Sequence, residues 1–249
     1  MRFIVMHKVG PRSDTDDIDQ RVIVEMGAFV QESLKNGMML NGAGLLPRVP
    51  RTRIVSRGGA CEVQHGASGT NNLLAGFALL KVANRAEAIE WTKRFAAFHE
   101  GELELGLVTE PWDLGFGEKP ANAPEQYLAL MMANADSESG APPSEQDLKA
   151  MGAFIGEMVQ AGVLQSTEGI LPSRFGTRLR FKAGKRVLAV DGPFAESKEL
   201  IAGFCVISVP SKEAALAWAD RYGSILTDLE VDVLALHDEA AFDGTKKTP

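Results

Sequence analysis

The sequence predicts an α+β fold built from two similar copies, on three observations. First, the chain repeats itself: Met26-Gly27-Ala28-Phe29 recurs 125 residues later as Met151-Gly152-Ala153-Phe154. The same offset pairs Gly37 with Gly162, Gly44 with Gly169, Leu46-Pro47 with Leu171-Pro172, Thr52-Arg53 with Thr177-Arg178, and Gly59 with Gly184. With two residues of slippage, Gly76-Phe77 matches Gly203-Phe204, and Val82, Trp91 and Arg94 match Val209, Trp218 and Arg221. A period this long reads as tandem duplication of a domain, not as a solenoid. Second, strand-like and helix-like apolar spacing alternate in the same order in both copies. Third, a Gly-containing hairpin signal falls at matched places, Arg57-Gly58-Gly59 and Ala183-Gly184.

Each element has its own justification. In the first copy, residues 2–7 read as a strand, and the acidic stretch 14–19 leads into a helix. Met26, Phe29, Val30 and Ser33 fall on one face of that helix, which ends near Asn36-Gly37. Residues 38–45 form a strand, 52–56 and 60–63 a hairpin, and 73–82 an apolar strand. Ala88, Trp91, Thr92 and Phe95 return to helical spacing, and 103–108 close the copy as a strand. In the second copy, 127–132 form a strand and Ser144 is the N-cap candidate of a helix. Met151, Phe154, Ile155 and Met158 are its buried stripe. Strands follow at 163–170, 178–181, 186–190 and 201–209. A last helix carries Ala215, Trp218, Ala219 and Tyr222, and 229–236 end the copy.

Each half therefore reads β-α-β, a hairpin, then β-α-β. That is a ferredoxin-like unit with an extra hairpin, both helices covering one face of a mostly antiparallel sheet. The other face needs a cover, and the second copy is the expected one. The expected division is a first domain at 1–115, a Gly-, Pro- and Ala-rich linker at 116–124, a second domain at 125–240 and a polar tail at 241–249.

Composition agrees with two domains, at 249 residues and 45% hydrophobic content. The net charge of −7 argues against nucleic-acid binding through clustered Lys and Arg. The two cysteines, Cys61 and Cys205, sit at unrelated places in the copies, so no disulfide framework is expected. Residues 1–8 lack the charged and apolar regions of a secretory signal, and no apolar run approaches about 18 residues. The expectation is a cytoplasmic protein without membrane contact, a monomer or a dimer.

The densest chemistry is Asp191-Gly192-Pro193-Phe194-Ala195-Glu196-Ser197-Lys198-Glu199. Asp-Gly-Pro is turn chemistry, and Phe194 can anchor the loop in the core. Read blandly, Asp191 shapes a turn and Glu196, Lys198 and Glu199 are solvated. Read functionally, Asp191 is a general base or hydrogen-bond acceptor, with Arg178, Glu168, Lys198 and Glu196 orienting a polar or anionic ligand. The first copy has residues 66–72, polar and Gly-rich, at this place, without carboxylate or Lys. Arg53 and Arg178 match between copies and are candidates for a salt bridge or a shared cleft. Glu168 stands at a strand end where the first copy has Ala43. His7, His65, His99 and His237 have no metal-ligand spacing, no phosphate or dinucleotide loop is present, and neither metal nor cofactor is expected.

Met151-x-x-Phe154, Ala161-Gly162-Val163-Leu164, Glu168-Gly169-Ile170-Leu171-Pro172, the Asp191 to Glu199 motif, Gly203-Phe204 and Trp218 together resemble the YCII-related, DGPF-type domain family. The resemblance covers residues 125–237; the first copy looks like a degenerate member that has lost the motif. It implies a dimeric α/β barrel, formed here as a pseudo-dimer within one chain. It also implies lyase- or isomerase-like chemistry without a cofactor, or an accessory role beside an extracytoplasmic-function sigma factor. Some members pair a His on the first helix with an Asp. The matching stretches here, 24–28 and 149–153, have no His, so only the Asp191 side carries over.

Overall fold

The computed structural model describes residues 1–9, 19–46, 49–66, 73–98, 100–194 and 200–237. In chain order the elements are β1 (Arg2–Val9), α1 (Gln20–Lys35), β2 (Met39–Gly44), β3 (Thr52–Arg57), β4 (Ala60–His65), β5 (Leu74–Val82), α2 (Arg85–Phe95) and β6 (Gly101–Leu107). They continue with β7 (Glu125–Met132), α3 (Ala135–Ser139), α4 (Glu145–Gln160), β8 (Leu164–Gly169), β9 (Thr177–Lys182), β10 (Lys185–Asp191), β11 (Leu200–Ser208), α5 (Lys212–Leu226) and β12 (Leu229–Ala235). The protein is α+β, with two six-stranded sheets in which every named pairing is antiparallel. The expected strands and long helices all appear. The short helix α3 was not expected; its Asn134 cap and Gly140 stop are local signals that the apolar pattern does not carry.

One compact unit comprises residues 1–44 and 171–236. Its sheet order is β10-β9-β12-β1-β11-β2. The four strands β12-β1-β11-β2 have split β-α-β order, with the β9-β10 hairpin added beside β12. Asp19 caps α1 by accepting from Arg21 N–H, and Ser211 caps α5 by accepting from Ala214 N–H. The apolar faces of these helices close over Phe3, Val5, Leu179, Phe181, Ile207, Val231 and Val233. Trp218 donates its indole N–H to buried Ser33 at 3.1 Å, tying α5 to α1. The opposite face of the sheet is also buried, with Ile4, Met6, Phe204, Val206 and Leu234 at 3% exposure or less.

The second unit comprises the described residues of 45–170 together with His237. Its sheet order, β4-β3-β6-β7-β5-β8, matches the first position for position. Asn84 and Ser144 cap α2 and α4. Phe154 and Met158 on α4 meet Ala88 and Phe95 on α2 over Ile54, Leu80, Leu103, Leu105 and Tyr127.

The compact units are cut across the sequence halves. Each takes β-α-β from one half and the hairpin with the later β-α-β from the other. The chain changes unit at places that match to within one residue, 44/45 and 170/171. Leu45 bridges to Val108 in one unit, while Leu171 donates to Ala235 O at 2.9 Å in the other. Two halves with the same apolar pattern offer each strand two equivalent partners, so periodicity fixes the elements and leaves their pairing open.

Candidate functional site

The Asp-Gly-Pro-Phe motif leaves the end of β10 and is held at three points. Asp191 lies opposite Thr177 on β9. Its Oδ1 accepts from Thr177 Oγ1 at 2.5 Å and from Lys212 Nζ, at the start of α5, at 2.7 Å. The Lys212 and Thr177 hydrogen bonds hold the carboxyl below the usual carboxylate range, although it is 73% exposed. Gly192 donates to Gly176 O at 3.1 Å and precedes a cis peptide bond to Pro193. A Cβ on Gly192 would lie 1.9 Å from Ser173 O, a backbone atom, so no larger residue fits this approach. Phe194 N–H donates to Ser173 Oγ at 3.3 Å, and its half-buried ring lies over Arg178, 4.6 Å from Cζ to centroid.

Arg178 heads a buried charge network on the sheet face away from the helices. Its Nε and Nη2 donate to Asp232 Oδ1 and Oδ2 at 2.7 and 3.0 Å, a bidentate fork. Lys8 Nζ donates to Asp232 Oδ2 at 2.5 Å, and both side chains are 0% exposed. Glu230 lies 3.2 Å from Arg178, 3.9 Å from Lys8 and 3.1 Å from the more exposed Arg180. Burial lowers Lys8 against the pull of Asp232. For Arg178, burial is outweighed by the Asp232 hydrogen bonds and the nearby carboxylates, and the net shift is upward.

The equivalent strands of the other unit carry a reduced version. Arg53 pairs with Glu102 and Arg51 with Glu104, at 3.5 Å for the latter. Strand pairing sets Met6 beside Asp232 and Leu130 beside Glu104, so the position of Lys8 falls to Met132. The buried lysine belongs to one sheet.

On the helix side of β1, the His7 Nδ1 and Tyr222 hydroxyl are 2.7 Å apart, and Tyr222 is also hydrogen-bonded to Cys205. Burial lowers His7 to about 4 and raises Cys205 to about 12; burial and Cys205 raise Tyr222. Gly203 makes this possible, because a Cβ there would lie 2.5 Å from His7 Cε1 and 2.7 Å from Ala43 O.

The predicted site residues are thus divided. Asp191 and Arg178 are neighbours across the hairpin but on opposite faces, one turned to α5 and the other to Asp232. A bulge between Arg186 and Leu188 causes this. Unbulged pairing from Lys185 and Lys182 would set Asp191 opposite Gly176, on the face of Arg178; one extra residue moves it opposite Thr177. Glu168 lies on β8 opposite Phe77 in the other unit. Glu196 and Lys198, with Ser197 and Glu199, lie outside the described residues, as do His99, residues 67–72 and the tail beyond 237. His65 is exposed and 3.3 Å from Thr52 Oγ1. Lys8, Glu230, Asp232 and Lys212 carry no motif in the sequence, and His7 and Tyr222 are read there only as a histidine without ligand spacing and as a core position. The available signal was charge alternating with apolar residues in Leu229-Glu230-Val231-Asp232-Val233, and Lys8 ending an apolar strand.

A cavity of about 510 Å³ lies in the second unit, lined by Lys81, Ala83, Glu87, Asn122, Gly162 and Val163 among others. Among the described residues, Asp191, Arg178 and Glu168 do not line it. Among the described residues no group of three His, Cys, Asp or Glu is placed to hold a metal, and no helix is long and apolar enough to cross a membrane.

Fold and site define an α+β protein with two antiparallel sheets and a motif turn clasped at the edge of one of them. The YCII-related domain matches residues 123–233. An uncharacterised protein of Rhizobium meliloti (strain 1021) is 34% identical over 94 residues, which is 36% of this chain and 75% of that protein. The chain belongs to the YCII-related domain family. No solved structure matches it.

Proposed function

We propose that the protein binds a small polar or anionic molecule at the outer side of Arg178 and Arg180, beneath the Asp-Gly-Pro-Phe turn. The observation that carries this reading is Phe194 stacked on Arg178, with Lys8, Asp232 and Glu230 fixing the guanidinium from behind. Among the described residues the cluster brings three cations, Lys8, Arg178 and Arg180, together with two carboxylates, Asp232 and Glu230. Asp191 acts by anchoring that turn. A carboxyl held ionised by Lys212 and Thr177 is a weak proton acceptor, which favours binding over lyase- or isomerase-like proton abstraction. We further propose that the protein is cytoplasmic and arose by tandem duplication, the two copies forming the family's pseudo-dimeric barrel within one chain.

Thermal-shift screening with small carboxylates and phosphate esters tests the reading on wild type, Arg180→Ala and Asp191→Ala. A ligand at a hundredfold its Kd stabilises by about 2.7 kcal/mol, a rise of several degrees. The expected result is a rise in wild type that shrinks in both variants. Equal shifts in all three proteins, or no response of wild type to any anion, would sink it.

A further inference from the structure

The β9-β10 hairpin places β10 at the edge of its sheet, where it pairs with β9 alone among the described strands. All seven residues of β10 are exposed. Val187, Leu188 and Val190 are 58%, 43% and 45% exposed. None of the other edge strands, β2, β4 and β8, exposes more than one large hydrophobic residue among those described. An edge with unpaired backbone groups and an apolar surface is a template for another strand, and proteins that avoid such pairing place charge in its middle. Here the charges stand toward the ends, at Lys185, Arg186 and Asp191.

We propose that β10 is a docking edge for a second copy of this chain, pairing antiparallel with its own equivalent about a two-fold axis at Ala189. Charge and face select this occupant and register. The bulge at Val187 puts Arg186 on the same face as Ala189 and Asp191, the face that meets α5: Arg186 bonds Asp220 and Asp191 bonds Lys212, both on that helix. Leu188 and Val190 occupy the other face, opposite Arg180 and Arg178 of β9. Antiparallel pairing sets residues of one face opposite each other. Centred on Ala189, and with the bulged Val187 passed over as it is against β9, it brings Leu188 against the partner's Val190 and Arg186 against the partner's Asp191, each twice by symmetry. Arg186 and Asp191 remain 41% and 73% exposed beside their present partners, so they can reach across. Centring the axis on Leu188 instead would set Val190 against the partner's Lys185 and lose the ion pair. A single edge buries less than a standard interface, so the dimer dissociates on dilution.

Sedimentation velocity over a dilution series tests this on the full chain. Wild type is expected to pass from dimer to monomer as it is diluted. Val190→Glu is expected to weaken the dimer at least about tenfold, since a charge then faces the partner's Leu188 in each half of the pair. The double variant Leu188→Lys/Val190→Glu is expected to regain it, because in this register each new lysine faces a new glutamate. Hydrogen exchange on wild type supplies an independent readout: the β10 amides should become more protected as concentration rises. A wild type that is monomeric throughout, a Val190→Glu dimer as tight as wild type, a double variant no tighter than the single one, or β10 exchange independent of concentration would each overturn the proposal.

Discussion

His7 shows what one side chain contributes when a glycine makes room for it. Its ring is held against Tyr222 at 2.7 Å and stays neutral, with its pKa lowered to about 4 by burial. An unfolded histidine takes its proton near 6.5, so between about 6.5 and 4 the unfolded chain binds more protons than the folded one. Stability is therefore complete above the unfolded value and falls on acidification by up to about 1.4 kcal/mol per pH unit, an upper bound because the ring is not wholly shielded. Urea titrations at pH 7.5, 6 and 5 should show this decline, and His7→Gln should flatten it; equal slopes in the two proteins would remove His7 as the cause. The residues of the motif turn were legible in advance because Asp, Gly and Pro each carry their own local geometry. The neutral His7 was not, because its state depends on Gly203 and Tyr222, 196 and 215 positions along the chain.

Among elements, β10 and β12 carry the most information beyond their apolar pattern. Helices and strands were readable because caps such as Ser144 and stripes such as Phe154 with Met158 are local. The bulge was not: Arg186-Val187-Leu188 has no glycine to mark it, yet it decides which face Asp191 takes. Asp191 therefore belongs to a turn clasp on one face of the hairpin and Arg178 to a charge network on the other. In β12, Glu230 and Asp232 alternate with Leu229, Val231 and Val233, and β1 answers with Lys8. Removing one partner of a buried pair strands the other. Lys8→Met, which copies Met132 of the matching strand, should cost about 3 kcal/mol, toward the lower end for such pairs because Arg178 still holds Asp232. Lys8→Met/Asp232→Leu should recover part of that loss in chemical denaturation. A single variant as stable as wild type would show that Arg178 alone neutralises Asp232.

At the level of the whole molecule, the sequence repeat described the element order and not the partnership. Each unit is completed by strands from both halves. A fragment spanning residues 125–240 holds the β-α-β of one unit and the hairpin with the later β-α-β of the other. If it keeps the pairings of the full chain, it should form a dimer that exchanges β7, α4 and β8 between copies, measurable by light scattering. A monomeric, fully folded fragment would show instead that the half closes on itself when its sister is absent. The crossings at 44/45 and 170/171 also bear on how the chain is made. β1 is bordered in its sheet by β11 and β12, which end at Ser208 and Ala235. At about 5–20 residues per second, roughly 11 to 45 seconds of synthesis separate the completion of β1 from that of both neighbours. β1 therefore leaves the ribosome long before either strand that will flank it has been made.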